Sequence, residues 1–76
     1  MPSRENKYKN YFITQLSLID KQINEQHYDL ALSKIHDLQK YYSDLELNKM
    51  VASSTLMELR DQLEKRLIQI PVEFIS

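Results

Sequence analysis

Residues 28–45 read YDLALSKIHDLQKYYSDL, and their apolar side chains recur every three or four positions. This spacing places the apolar side chains on one stripe of an α-helix, whereas a strand would need one at every second position. The pattern predicts a helix over 28–42 that packs along its stripe against other helices. The stripe consists of Tyr28, Ala31, Ile35, Leu38, Tyr42 and Leu45.

Two further stretches of the chain carry stripes of the same kind. One predicts a helix over 7–25, and the other favours a helix over 44–69 that Pro71 ends. Ala31 and Ala52 are the expected points of close approach between helices. The sequence therefore predicts an all-α fold, a small antiparallel three-helix bundle that a dimer could complete. The two stripes consist of Tyr8, Phe12, Leu16, Ile19 and Ile23, and of Ala52, Leu56, Leu59, Leu63, Leu67 and Ile70.

The first connection must turn the chain without glycine or proline. We expect either an unusual backbone angle at Asn24 or a helix cap by Asp29. The alternative is one unbroken helix over 7–42. A histidine and a glutamine interrupt the apolar rhythm at the junction, and this interruption favours a hairpin.

The second connection carries two possible helix starts. Ser43-x-x-Glu46 and Thr55-x-x-Glu58 both have the form of a capping box, in which the two side chains satisfy free backbone N–H groups. The apolar stripe that begins at Ala52 crosses Ser53–Thr55 without losing phase, which favours one long third helix. The alternative is a break near Ser53, giving four helices.

Tyr28-x-x-Ala31-x-x-x-Ile35-x-x-Leu38 is similar to the second helix of a tetratricopeptide-type hairpin, in which a small residue lets two helices approach closely. The resemblance covers less than a third of the chain. The Trp, Leu-Gly and Tyr of the family's preceding helix are missing, and no second repeat follows. The resemblance implies an antiparallel helix pair.

Length and composition limit the means of stabilising the fold. A chain of 76 residues without cysteine forms a single core that has no disulfide and no thiolate metal site. Such a core rarely supplies more than about 3–5 kcal/mol, so we expect a homo-oligomer or another partner protein. The expected organisation is a frayed N-terminus over 1–6, a single helical domain over 7–70 and an apolar tail over 71–76.

The charge pattern and the hydropathy pattern bear on partners and location. The formal net charge is −1, which argues against nonspecific binding of nucleic acid or anionic membranes. Apolar runs are only a few residues long, so no transmembrane segment is expected, and the N-terminus lacks the core of a secretory signal. The expected location is the cytoplasm.

No residue pattern indicates catalysis. His27 and His36 are nine residues apart and have no partner at a metal-ligand spacing, so we expect them at the surface. Asp61 and Glu64 each lie four residues from a basic side chain, which is typical of an exposed ion-pair strip. The expectation is a protein that is not an enzyme, with no catalytic residue, metal or cofactor.

Tyrosines near the edges of the stripes and apolar residues of the C-terminal tail are the candidate partner-binding residues, because aromatic residues are enriched where proteins contact each other. The leading prediction is a small non-enzymatic protein–protein interaction module that acts as an inhibitor, adaptor or regulatory subunit through a helical face and its C-terminal tail. The candidate residues are Tyr8, Tyr11, Tyr41, Val72, Phe74 and Ile75.

Two alternative functions stay open from the sequence. The first is an immunity-type helical protein that binds a toxin or a membrane receptor. The second is a dimeric nucleic-acid-binding regulator in which Lys7 and Lys9 alternate with Tyr8 and Tyr11, an arrangement that could combine charge with base stacking.

Overall fold

The computed structural model describes residues 4–75. Its helices are α1 (Arg4–Asn24), α2 (Tyr28–Leu47), α3 (Ser53–Leu67) and the short α4 (Val72–Ile75). Helices α1, α2 and α3 pack against one another, and α4 packs against α2. The predicted all-α three-helix bundle is confirmed, and these residues contain no strand.

Helices α1 and α3 run in the same direction, and α2 runs against both. Glu5 at the start of α1 binds Thr55 at the start of α3, and Arg66 near the end of α3 binds the late part of α1. Tyr41, late in α2, lies against Tyr11, early in α1. The Cα atoms extend over 41 × 21 × 16 Å, so the bundle is an elongated rod with its helices along the long axis.

The core is built from the three predicted stripes. Every stripe residue except Ala52 is buried or packs against the buried cluster. Ala31 is completely buried, as expected for a point of close approach. The buried apolar residues are Phe12, Leu16, Ile19, Ala31, Ile35, Leu38, Leu45, Val51, Leu56, Leu59, Leu63 and Ile70.

The predicted long helix over 44–69 is wrong. The helix breaks before Ser53, as in the alternative, but residues 44–47 belong to α2 and form no separate helix. Helix α2 continues to Leu47 because Leu45 extends its apolar stripe into the core. The Ser43-x-x-Glu46 pattern therefore lies inside a helix and caps nothing. Ala52 is exposed at the N-cap position of α3, so its proposed close approach is also wrong.

The start of α1 differs from its predicted position by three residues. Helix α1 begins at Arg4 and not at Lys7. Of the segment over 1–6 that was expected to be frayed, residues 1–3 lie outside the described residues and the others belong to α1. The predicted end near residue 25 agrees with the observed end at Asn24.

The turn between α1 and α2 closes the helix without glycine. Gln26 adopts a left-handed backbone angle, φ 61°. Its N–H donates to the carbonyl of Ile23 at 3.0 Å, and the N–H of His27 donates to the carbonyl of Gln22 at 2.8 Å. This pair of hydrogen bonds is a Schellman motif, which usually has glycine at the left-handed position.

Both expected means of making this turn are wrong. The left-handed angle falls at Gln26 and not at Asn24. Asp29 lies in the first turn of α2, and the N-cap residue is His27, whose side chain makes no capping hydrogen bond. The chain reverses because the Schellman hydrogen bonds satisfy the last carbonyls of α1. The predicted hairpin itself is confirmed.

The turn after α2 is a second Schellman motif without glycine. Lys49 has φ 53°. Its N–H donates to the carbonyl of Glu46, and the N–H of Met50 donates to the carbonyl of Leu45 at 2.9 Å. Met50 then packs against the core, which supplies the apolar contact that often accompanies this motif.

A carboxylate from α1 caps the N-terminus of α3. The backbone N–H of Ala52 and the hydroxyl of Thr55 donate to the two carboxylate oxygens of Glu5, at 3.0 and 2.5 Å. In a capping box, a Glu three residues after the cap accepts the first of these bonds. Here Thr55 occupies that position, and Glu5 supplies the carboxylate from another helix. The predicted box at Thr55 and Glu58 is therefore replaced by a contact between helices.

Arg66 ties the other ends of α1 and α3 together. Its Nε and Nη2 donate to the two carboxylate oxygens of Asp20, both at 3.0 Å. Its Nη1 donates to the side-chain oxygen of Gln62 one turn earlier. A weaker contact of 3.5 Å joins Lys9 and Glu58 between these two ends. The α1–α3 contact thus carries polar links along its length.

Candidate functional site

An aromatic pair lies on the side of the bundle formed by α1 and α2. The ring centroids of Tyr11 and Tyr41 are 4.7 Å apart, and the rings are inclined at 48°. Tyr41 also approaches the buried ring of Phe12, with centroids 6.5 Å apart. Tilted pairs at these distances are favourable for aromatic rings. The pair therefore anchors Tyr41 against the core while Tyr11 stays half exposed.

The hydroxyl of Tyr41 remains protonated over the ordinary pH range. Burial raises its pKa above the usual value of 10.0, and the neighbouring hydroxyls of Tyr11 and Tyr8 raise the pKa further. The group can accept or donate a hydrogen bond but does not act as a base near neutral pH. Tyr8 is partly buried against the core beside it.

Two leucines extend this surface along both helices. Leu18 lies seven residues, or two helical turns, beyond Tyr11, and Leu30 lies eleven residues, or three turns, before Tyr41. The exposed fractions of Tyr11, Leu18 and Leu30 are 49, 41 and 51%. We call this surface the aromatic face. It consists of Tyr8, Tyr11, Leu18, Leu30 and Tyr41.

A second apolar surface lies at the C-terminal end of the chain. Buried Ile70 and the following Pro71 lead into α4, where the ring of Phe74 rests on that of Tyr28 with centroids 5.4 Å apart. Val72, Phe74 and Ile75 are nevertheless 77, 43 and 46% exposed. We call this surface the C-terminal cluster. It consists of Tyr28, Val72, Phe74 and Ile75.

The six residues predicted to bind a partner fall into two separate groups. Tyr8, Tyr11 and Tyr41 belong to the aromatic face, while Val72, Phe74 and Ile75 belong to the C-terminal cluster. Tyr28 and Tyr41 are thirteen residues apart on α2, or about 20 Å along the helix axis. Leu30 is only two residues from Tyr28, but this offset places it on nearly the opposite side of α2.

The titratable side chains are arranged as the sequence suggested. His27 and His36 are exposed, and the nearest carboxylate oxygen to His27 is that of Glu25, at 3.9 Å. The expected pairs Asp61–Lys65 and Arg60–Glu64 form at 3.2 and 3.3 Å on the exposed side of α3. Residues 4–75 bring together no group of three or more histidine or acidic side chains that could hold a metal ion.

The segment proposed for nucleic-acid contact is partly engaged within the fold. Lys9 pairs with Glu58 of α3, and the ring of Tyr11 is covered on one side by Tyr41. Lys7 is exposed. A base-stacking role would need both an open ring face and free cationic groups.

Shallow grooves run between the helices. One of about 250 Å³ lies between α2 and α3, and another of similar volume lies between α1 and α3. Sites for small molecules typically enclose about 300–1,000 Å³ and most of the ligand's surface. These two grooves are smaller and open to solvent. A third depression of about 360 Å³ lies on α3 alone and is more open than either groove, so the two apolar surfaces are the stronger candidates for binding. In the described part of the chain, no helix is apolar over a length that would cross a membrane.

The comparisons with known proteins assign no family to the chain. No protein-family model, no curated protein and no solved structure is significantly similar to it.

The sequence did not single out Leu30 of the aromatic face, nor Glu5 and Arg66 of the α1–α3 contact. Leu30 falls outside the apolar stripe of α2, but its spacing of eleven residues from Tyr41 is a signal for a shared helix side. The residues near Glu5 and Arg66 in the sequence do not indicate that these side chains link α1 to α3. Their partners are 50 and 46 residues away along the chain.

Proposed function

We propose that the chain is a small, non-enzymatic protein–protein interaction module and that its C-terminal cluster is the docking surface for a partner protein. The observation that carries this proposal is the exposure of Phe74 and Ile75 on a segment that is folded in place. Exposed apolar groups of this kind, clustered on one surface, are typical of sites that bind other proteins.

The cluster is organised before any partner arrives. Ile70 is buried in the end of the bundle, Pro71 restricts the backbone, and the Phe74 ring rests on Tyr28. A partner would therefore bind an apolar surface that is already ordered. Binding would not require a flexible tail to become ordered first. Such preorganisation reduces the entropic cost of binding.

The test is affinity capture with the full chain from a lysate of its own source, in the presence and absence of nuclease. The variants are Phe74→Ala and Ile75→Asp, and the matched control is Leu47→Asp, which changes an exposed apolar residue at the far end of α2. Circular dichroism would establish that each variant is folded. We expect one stoichiometric protein that survives nuclease, is lost with both variants and is retained with the control.

Other results would contradict the proposal in different ways. A partner retained by both C-terminal variants would place the docking surface elsewhere. Recovery that disappears with nuclease, and with Lys7→Glu, would favour the nucleic-acid-binding alternative. A captured toxin or membrane receptor would select the immunity-type alternative within the same docking geometry.

A further inference from the structure

Two rows of residues line the aromatic face, one on each helix. Both rows have spacings of four, three, four and three, so each follows one side of its helix. The α1 row carries two positive charges, and the α2 row carries one net negative charge. The α1 row is Lys7, Tyr11, Thr14, Leu18 and Lys21, and the α2 row is Leu30, Lys34, Asp37, Tyr41 and Asp44.

The contact between Tyr11 and Tyr41 fixes the alignment of the two rows. Because the helices are antiparallel, one turn further towards the N-terminus of α1 brings Lys7 level with Asp44. Both side chains are exposed, and neither takes part in an ion pair with the residues that the structure describes. The face therefore carries two positive charges along α1, a net negative charge along α2 and apolar side chains between them.

This pattern is complementary to itself under one twofold rotation. A twofold axis parallel to the helices places α1 of one protomer on α2 of the other, so Lys7 faces the partner's Asp44 and Tyr11 faces the partner's Tyr41. A twofold axis across the helices places α1 on α1 and α2 on α2. It brings Lys7 to the partner's Lys21 and Asp37 to the partner's Asp37, which is repulsive.

The size of the face is also sufficient. A stable dimer buries roughly 800 Å² on each partner, which is about one-seventh of the 5502 Å² accessible surface of this chain. Helices α1 and α2 contain 21 and 20 residues and are each about 30 Å long. One long side of the rod offers an area of this order.

We propose that two copies of the chain form a dimer through the aromatic face, with the twofold axis parallel to α1 and α2. The dimer adds two helices to the α1–α2 pair and buries Tyr11, Leu18 and Leu30. Because this rotation preserves direction along the rod, both C-terminal clusters lie at the same end of the dimer. A partner with two matching sites would then gain from avidity.

The first test measures the mass of the purified full chain by analytical ultracentrifugation over a range of concentrations. We expect a reversible monomer–dimer equilibrium. Leu18→Asp should raise the dissociation constant by ~100-fold or more, since each dimer contains two copies of the change. Met57→Asp, on the exposed side of α3, is the matched control and should leave the constant unchanged. A chain that stays monomeric, or a dimer that Leu18→Asp leaves intact, would overturn the proposal.

The second test addresses the axis through charge reversal. Lys7→Glu and Asp44→Lys should each raise the dissociation constant roughly 5- to 30-fold, because each removes two exposed ion pairs and creates repulsion. The double variant should restore the constant to within about threefold of the original. Additive losses in the double variant would overturn the parallel axis.

The third test uses spin labels, which the absence of cysteine makes straightforward. A single Glu73→Cys label on each protomer lies at the same end of the dimer under the parallel axis. Under the alternative axis the labels lie at opposite ends of rods that extend 41 Å. Well-defined distances clearly shorter than that length are expected, and distances near or above it would overturn the proposed axis. Because Glu73 and Leu18 lie on different surfaces, failure of the dimer leaves the partner-docking proposal intact, and the reverse also holds.

Discussion

Helix α1 is bordered differently on its two sides. Towards α3, its edge carries Glu5, Lys9 and Asp20, and each of them binds a polar group of the neighbouring helix. Towards α2, its edge carries Tyr11 and Leu18, which remain half exposed beside Tyr41 and Leu30. The α1–α3 contact is therefore bordered by hydrogen bonds and ion pairs, whereas the α1–α2 contact is bordered by apolar side chains.

The difference separates a contact made within the chain from a surface available for contact with another chain. Polar groups at the edge of a helix contact are already hydrogen-bonded within the protein. A partner protein would therefore gain little by binding them. Apolar groups at an edge keep a free-energy gain of about 25 cal/mol for each Å² that a partner could still cover. Substitutions on the two sides of α1 test whether the sides differ in this way.

Among substitutions at the edges of α1 contacts, the largest effect is expected from Arg66→Ala on the polar side. Arg66 makes two parallel hydrogen bonds to Asp20 and is mostly shielded from solvent, so its removal should lower the free energy of unfolding by about 1–2 kcal/mol. Urea denaturation measures the change. Arg60→Ala is the control because Arg60 pairs with Glu64 on the exposed side of α3, and its loss should be below about 0.5 kcal/mol. Equal losses for both variants would show that the α1–α3 links are ordinary surface pairs.

The cap formed by Glu5 should give the protein a pH dependence of stability. Hydrogen bonds from Thr55 and from the Ala52 backbone lower the pKa of Glu5 below its usual 4.5, with a smaller contribution from the Lys9 charge. Since the folded pKa is lower, the stabilisation is complete above pH 4.5 and is lost as the pH falls through the folded value.

Thermal unfolding of the wild type and Glu5→Gln at several pH values measures this dependence. The difference in melting temperature should be constant near neutral pH and should shrink towards zero in acid. Glu58→Gln, which removes a carboxylate with only a 3.5 Å contact to Lys9, is the matched control. A difference between the wild type and Glu5→Gln that is independent of pH would mean that the carboxylate charge does not contribute to the cap.

The core could be predicted from the sequence because the buried side of a helix has apolar residues at a regular spacing of three or four. Leu16 and Ile35 each lie on a stripe with helical spacing, and both are buried. The end of α2 could not be predicted in the same way. The apolar phase continues through Leu45 and then resumes at Leu56 after an irregular segment, so periodicity alone did not show the break.

The residues that define the two sides of α1 were only partly predictable. Tyr11 and Tyr41 could be chosen as candidates because large aromatic side chains near the edge of a stripe are conspicuous. Glu5 and Arg66 could not, since a polar side chain acquires its role from a partner that the fold brings near. Gln26 could not be predicted either, because the left-handed position of a Schellman motif normally selects glycine.

A smaller, stabilising effect is expected at the turns. Lys49 has a left-handed backbone angle, which costs a residue with a Cβ about 1–2 kcal/mol, while glycine adopts it without this cost. Part of the gain is offset by the greater freedom of glycine in the unfolded chain. Lys49→Gly should therefore raise the free energy of unfolding by about 0.5–1 kcal/mol. Gln26→Gly should do the same at the other turn, and Asn48→Gly, whose φ is −92°, is the control that should not stabilise.

The smallest effect is expected on the apolar side of α1. Leu18→Ser should change the free energy of unfolding of the monomer by less than about 0.5 kcal/mol, because Leu18 is 41% exposed and outside the buried cluster. Leu16→Ser, two residues away and buried, should cost at least about 3 kcal/mol. Denaturation at protein concentrations too low for association measures both values.

The same denaturation measurements at higher protein concentrations test whether Leu18 is buried in the dimer. If association covers Leu18, the wild type gains stability with concentration by mass action, whereas Leu18→Ser gains less. The two curves should therefore separate as the concentration rises. A large loss at low concentration would mean that Leu18 stabilises the single chain, and the apolar side of α1 would then be part of its core.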